Sequence, residues 1–166
     1  MTPSYVENAA LHYLERFSSS TANLKRVLMR KADRSLAHWG GERADAAAVI
    51  DAVIAKLAGL GYLDDAAYAA AKARGLHRRG TSGRVIRAAL AAKGVASEQA
   101  DAALGGLADE AEEPDHAACL NLARRRRLGP FRLAEKQAEF RDKDMAALAR
   151  AGFSWDVVKR VMAGEE

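Results

Sequence analysis

Ser82-Gly83-Arg84-Val85-Ile86-Arg87-Ala88-Ala89-Leu90-Ala91-Ala92-Lys93-Gly94-Val95-Ala96-Ser97-Glu98-Gln99-Ala100-Asp101-Ala102-Ala103-Leu104 has a counterpart later in the chain. It is Lys143-Asp144-Met145-Ala146-Ala147-Leu148-Ala149-Arg150-Ala151-Gly152-Phe153-Ser154-Trp155-Asp156-Val157-Val158-Lys159-Arg160-Val161-Met162. In both, a helix-forming run stops at glycine, an apolar residue follows, and a serine with an acidic residue behind it precedes a second run. Gly94 and Gly152 suit the left-handed conformation that closes a helix, which costs other residues about 1–2 kcal/mol. Val95 and Phe153 are then placed to fold back on the helix just ended. Ser97 and Ser154 are expected to cap the next helix. This is one helix–turn–helix corner used twice, the mark of a repeat protein.

Towards the N-terminus the plan is looser. Val6, Ala10, Tyr13, Leu14 and Phe17 share one helical face. Ser18-Ser19-Ser20-Thr21 breaks that helix and caps a second, whose Leu24, Val27 and Leu28 face inward. Asp45 is the expected cap of a third, with an inner face of Val49, Ile50, Val53, Ile54, Leu57 and Leu60. Between the second and third helices, residues 31–43, with Trp39-Gly40-Gly41, read as an insertion replacing the turn. Gly61 ends the third helix, and Asp64 caps the next, which carries Tyr68 and Leu76. The acidic stretch Asp109-Glu110-Ala111-Glu112-Glu113-Pro114-Asp115 reads as a linker or helix start. Beyond it a helix through Leu122 to Arg127 stops at Gly129-Pro130, and another is expected from Phe131. The predicted fold is all-α, with three tandem three-helix, helix–turn–helix-like repeats. They span 1–63 (with the insertion 31–43), 64–107 and 115–166, with the acidic linker at 108–114. Units this small are expected to stack into an elongated, curved molecule.

Composition narrows the function classes. Of 166 residues, 49% are hydrophobic and 6% aromatic, which favours helix. Twenty-six Lys and Arg against 22 Asp and Glu give a net charge of +4, so an anionic partner is expected, nucleic acid first. A single cysteine, Cys119, excludes a disulfide within the chain and fits a reducing cytoplasm. The first residues have no basic leader pattern, and no apolar run reaches membrane-spanning length, so a cytoplasmic protein is expected.

Catalytic chemistry has little to rest on. Asp64 and Asp65 could pass for a carboxylate pair, but adjacent acids at a helix start already serve as caps. His12, His38, His77 and His116 are scattered, without metal-ligand spacing, and Cys119 reads as a small core residue. No phosphate-cradling glycine loop is present. No enzyme activity, cofactor or metal is expected. Three basic clusters are the candidate sites: Lys25, Arg26, Arg30, Lys31 and Arg34; Arg74, Arg78, Arg79, Arg84, Arg87 and Lys93; and the run Arg124-Arg125-Arg126-Arg127. Four consecutive arginines repel one another unless an anion relieves them. None of these clusters carries a base-reading pattern, so phosphate-level, nonspecific contact with single- and double-stranded DNA is expected. Trp39 is either a local anchor or an exposed contact. Trp155 is expected to pack at the edge of the last helix, and Tyr62 and Tyr68 at the joint.

The joint Gly61-Tyr62-Leu63-Asp64-Asp65-Ala66-Ala67-Tyr68-Ala69 resembles the hallmark of the RecX family. Arg78-Arg79-Gly80, Ile86 and Leu90-x-x-Lys93-Gly94-Val95 follow in the family's order. The opening Ala10-Leu11-x-Tyr13-Leu14 and the closing Gly152-Phe153-Ser154-x-x-Val157-Val158 are similar to its two ends. The departure is residues 31–43, where the family has a short Lys-Gly turn. The resemblance implies a monomeric regulator of DNA repair, recombination and the SOS response. Such a protein binds in the helical groove of RecA–DNA filaments and lowers RecA ATPase and strand exchange. It also implies that Gly61, Tyr62, Leu63, Asp64, Asp65 and Tyr68 form a structural joint. The competing reading is an autonomous helix–turn–helix-like DNA-binding protein, which would be a dimer on matched half-sites.

Overall fold

A computed structural model describes residues 2–165, which form nine α-helices and one 3-10 turn, with no strand among them. The helices are α1 (Pro3–Leu14), α2 (Thr21–Trp39), α3 (Arg43–Gly59), α4 (Asp65–Arg78), α5 (Gly83–Ala92), α6 (Ser97–Glu110), α7 (Pro114–Arg126), α8 (Ala134–Arg150) and α9 (Trp155–Met162), with the 3-10 turn Gly129–Phe131 between α7 and α8. Contacts gather them into two compact units. One runs up to Ala69 and includes Lys93–Ala96; the other holds Ala70–Ala92 and the chain from Ser97 onward.

In the first unit Thr2 caps α1, and Pro3 occupies the first turn, where its missing N–H does no harm. Ser20 caps α2 by accepting from the Asn23 N–H at 3.2 Å. Its own hydroxyl donates to the Lys93 carbonyl at 2.5 Å, which ties the Gly94 corner to this helix start. Leu24, Leu28, Met29 and Ala32 of α2 pack with Ile50, Val53, Ile54 and Leu57 of α3, and with Val6 and Ala10 of α1. Each large side chain so buried contributes about 1.5–3 kcal/mol.

Four expectations for this unit are corrected. Residues 31–39 continue α2, because nothing in Lys31-Ala32-Asp33-Arg34-Ser35-Leu36-Ala37-His38-Trp39 breaks a helix before Gly40, at φ +74°. Asp45 lies inside the first turn of α3, and the cap position falls to Glu42, which makes no side-chain capping bond. Phe17 is 55% exposed, because α1 stops at Leu14 and the face it would have extended is lost. Leu60 is exposed as the residue after the last turn of α3.

In the second unit Ile86 and Leu90 of α5 lie in the interior, as do Ala100, Ala103 and Leu107 of α6. A second core joins Ala118, Cys119, Leu122 and Ala123 of α7 to Met145 and Leu148 of α8, Phe153, and Val158 and Val161 of α9. Val95 and Phe153, the residues after the two corner glycines, are buried as expected. Ser154 caps α9, accepting from the Val157 N–H at 3.4 Å. Ser97 is the first residue of α6 rather than its cap. The acidic stretch is two helix ends joined by residues 111–113: Glu110 closes α6, and Pro114 opens α7. It is also tied down. Asp115 accepts from the Gly83 N–H at 2.7 Å, and His77 donates through Nε2 to the Pro114 carbonyl at 2.7 Å. The helix expected from Phe131 begins at Ala134, since Gly129-Pro130-Phe131 makes one 3-10 turn instead.

Candidate nucleic-acid interface

The joint that carries the family resemblance is a Schellman closure followed by a cap. Gly61, at φ +80°, donates to the Ala58 carbonyl, and Tyr62 donates to the Leu57 carbonyl at 2.9 Å. Asp64 then caps α4 by accepting from the Ala67 N–H at 2.9 Å. Asp65 accepts from the Thr21 N–H at 2.7 Å, at the start of α2. The two adjacent carboxylates therefore hold two different helix ends. Leu63 and Tyr68 are buried; burial, with smaller effects from Tyr13 and Asp65, pushes the Tyr68 hydroxyl up from its ordinary pKa. Tyr62 is 58% exposed, contrary to its expected packing role, and borders an open groove of about 640 Å³ shared with Leu14, Phe17 and Tyr68.

The structure sorts the basic residues by what they already touch. In the first cluster Lys25 pairs with Asp51 at 2.5 Å, and Lys31 sits 5.1 Å over the Tyr5 ring. Arg30 and Arg34 are exposed and form no ion pair among the described residues. Arg26 is exposed on the same helix. In the second cluster Arg74 lies 4.0 Å from Glu110, and Arg87 pairs closely with Asp101. Arg78, Arg79 and Arg84 are exposed without such partners among the described residues. Lys93 does not belong with them: it is part of the first unit and bonds the Asn23 side chain at 3.3 Å.

Arg124, Arg125 and Arg126 form the last turn of α7, and Arg127 follows it in the left-handed conformation at φ 54°. All four are exposed. Arg124 lies 5.2 Å over the Phe131 ring, and none of the four has a carboxylate partner among the described residues. Arginine is favourable at a helix C-terminus, where the macrodipole is negative. That leaves the guanidinium groups placed, charged and facing water.

Sequence reading missed Arg132. It makes a two-point ion pair with the buried Asp144, at 2.8 and 2.7 Å, and lies 4.4 Å over the Phe140 ring. The Arg132 bonds, with the Gly129 N–H at 2.9 Å, hold the Asp144 carboxyl below its ordinary range. The group locks the 3-10 turn and is structural. Only the departure from helical pattern around Gly129-Pro130 hinted at it. Cys119 is buried, and burial, helped by Asp115, pushes its thiol up to about 12, which makes it inert as a nucleophile. Among the described residues no group of His, Cys, Asp or Glu is arranged to hold a metal. No helix among them is long and apolar enough to cross a membrane.

The fold and these surfaces define an all-helical protein built on glycine-closed helix–turn–helix corners, with exposed arginines as its surface chemistry. Residues 64–104 match the family model described as RecX, second three-helix domain. Regulatory protein RecX of Myxococcus xanthus (strain DK1622) is 45% identical over 163 residues, covering 98% of this chain and 86% of that protein. Regulatory protein RecX of Agrobacterium fabrum (strain C58 / ATCC 33970) is 34% identical over 160 residues, covering 96% and 83%. The chain belongs to the RecX family. Its fold is similar to the crystal structure of RecX from Lactobacillus salivarius, with a TM-score of 0.69 at 24% identity, covering 98% of this chain and 95% of that one.

Proposed function

We propose that this chain regulates recombination and DNA repair by binding RecA–DNA filaments in their groove and lowering RecA ATPase and strand exchange. The carrying observation is its likeness to a regulatory protein RecX, 45% identical along 98% of this chain. The exposed run Arg124-Arg125-Arg126-Arg127 supplies chemistry suited to the phosphates or acidic surfaces of such a filament. In this reading the protein acts by binding and catalyses nothing, and its DNA contacts are phosphate contacts without base specificity.

RecA ATPase on single-stranded DNA, titrated with this chain, tests the reading. Inhibition is expected at ratios well below one chain per RecA. Replacing all four arginines with alanine is expected to raise the half-inhibiting concentration severalfold, with the helical circular dichroism unchanged. Equal inhibition by the variant would reduce the run to a solvated face. Tight DNA binding by the parent chain with no effect on RecA would move the assignment to an autonomous DNA-binding protein.

A further inference from the structure

We infer that the groove between the end of α1 and the joint that opens α4 docks a protein segment carrying an arginine or lysine flanked by apolar side chains. Leu14 and Phe17 line it from α1 and the turn beyond, and Gly61, Tyr62 and Tyr68 line it from the joint. All of it lies within the first unit. Phe17 and Tyr62 are both more than half exposed, yet neither is loose. The Phe17 N–H donates to the Tyr13 carbonyl at 3.0 Å, and the two rings lie 5.1 Å apart. Tyr62 is fixed by the bond to the Leu57 carbonyl that closes α3. Two rings anchored at the backbone and left facing water offer apolar surface for a partner to cover.

The charge around the groove has one sign. Glu15 and Asp64 line it and no Lys, Arg or His does, in a chain with 26 Lys and Arg. The cation next to Glu15 is His12, at 3.7 Å on the exposed side of α1. Asp64 caps α4 with one oxygen, and the other takes no bond among the described residues. Leu14 ends α1 and Gly61 closes α3, so two helices bring their negative ends here, each worth about half a charge. The start of α4 brings about half a positive charge, which the full charge of Asp64 exceeds. Tyr68 adds a polar atom. Its ring is buried, and its hydroxyl takes no hydrogen bond among the described residues. It is not among the enclosed, unpartnered polar atoms, so the hydroxyl keeps access to solvent.

A guanidinium or ammonium group answers all of these at once. It donates to the carboxylates and to the phenol oxygen, and it is attracted to the faces of the rings. Apolar neighbours in the same segment would cover Phe17 and Leu14. Nucleic-acid bases could also stack on the rings, but the carboxylates and helix ends would repel the phosphates. A wholly apolar ligand would desolvate the two acids and the hydroxyl without a partner. No residue of the three basic clusters lines the groove, so this surface is separate from the anion-binding faces and does not rest on the RecA reading.

The test uses the full-length chain, labelled with nitrogen-15, and a capped pentapeptide with one arginine between two leucines. Its counterpart carries citrulline, which has the shape of arginine without the charge. The arginine peptide is expected to shift the amide signals of Phe17, Ser18, Gly61 and Tyr62, and the citrulline peptide to bind about tenfold more weakly. Glu15→Gln with Asp64→Asn keeps the α4 cap and should erase that difference. Phe17→Ala with Tyr62→Ala removes only exposed rings and should weaken both peptides severalfold, with the melting temperature unchanged. Tyr68→Phe should weaken the arginine peptide alone. Equal affinity for the two peptides would overturn the inference, as would shifts confined to the acidic stretch 109–115. Shifts of the same four amides by a thymidylate oligomer, or by raising the protein concentration without peptide, would overturn it in favour of nucleic acid or a second copy of this chain. The RecA ATPase titration is decided separately from all of these results.

Discussion

Gly61 and Gly80 have the same backbone conformation, φ +80°, and close α3 and α4 by the same pair of bonds. Their surroundings differ. A Cβ on Gly61 would meet open space, whereas one on Gly80 would lie 2.6 Å from the Leu122 amide nitrogen and 2.8 Å from its Cα. The first position asks only for a left-handed residue; the second also needs the absence of a side chain, because α7 backbone fills the place. Gly61→Ala is therefore expected to cost about 1–2 kcal/mol. Gly80→Ala should cost a further ~1–3 kcal/mol for overpacking against backbone that cannot move aside. Urea midpoints of the two variants check this, and equal losses would show that Leu122 shifts at no cost. Asp64 and Asp65 teach the same lesson at the hallmark. Adjacent and chemically alike, they hold the first turns of α4 and α2 respectively. The first role follows from sequence position; the second depends on a contact 44 residues away.

Among the elements, α7 ends against its own preference. Helices close most easily on glycine, and Gly61, Gly80, Gly94 and Gly152 all take positive φ. At the end of α7 the left-handed position is Arg127, the one non-glycine residue at positive φ among those described. The usual closing bonds still form, from Leu128 to the Ala123 carbonyl and from Arg127 to the Arg124 carbonyl. Arg127→Gly should therefore raise stability by roughly 1 kcal/mol. If the fourth guanidinium serves the proposed interface, the same change should weaken inhibition of RecA. A higher melting temperature with weaker inhibition is the expected pair of results; higher stability with inhibition intact would remove Arg127 from the interface. Helix ends were also where sequence reading succeeded and failed. The glycine corners at Gly94 and Gly152 were legible because the conformation is local and few residues tolerate it. The extent of α2 was not. Tryptophan beside two glycines resembles a loop, and the helix-permissive run before it makes too weak a local signal. Phe17 and Leu60 failed for a related reason: periodicity continues on paper past the residue where the helix stops.

Across the whole molecule, a net charge of +4 understates how the charge is arranged. Lys25, Arg43, Lys56, Arg74, Arg87, Arg132, Lys159 and Arg160 stand next to carboxylates. Among the described residues, Arg30, Arg34, Arg78, Arg79, Arg84 and the Arg124-Arg125-Arg126-Arg127 run do not. A surface ion pair contributes only about 0–1 kcal/mol, so pairing alone would not stop a side chain from turning to a phosphate. The carboxylate it leaves would remain beside that phosphate, however, and repel it within a Debye length of about 8–10 Å. Phosphate contact should thus fall to the unpaired set. The salt slope separates the two sets, because it counts the counterions released by phosphate contacts, at about 0.9 per contact on duplex DNA. Arg78→Ala with Arg79→Ala is expected to flatten the slope by about 2. Arg74→Ala with Arg87→Ala removes the same charge and should change the slope by less than about 1, even if affinity itself declines. Slopes that fall equally would mean that the ion pairs open on DNA, so that position on the surface, and not the carboxylate neighbour, selects the side chains that bind.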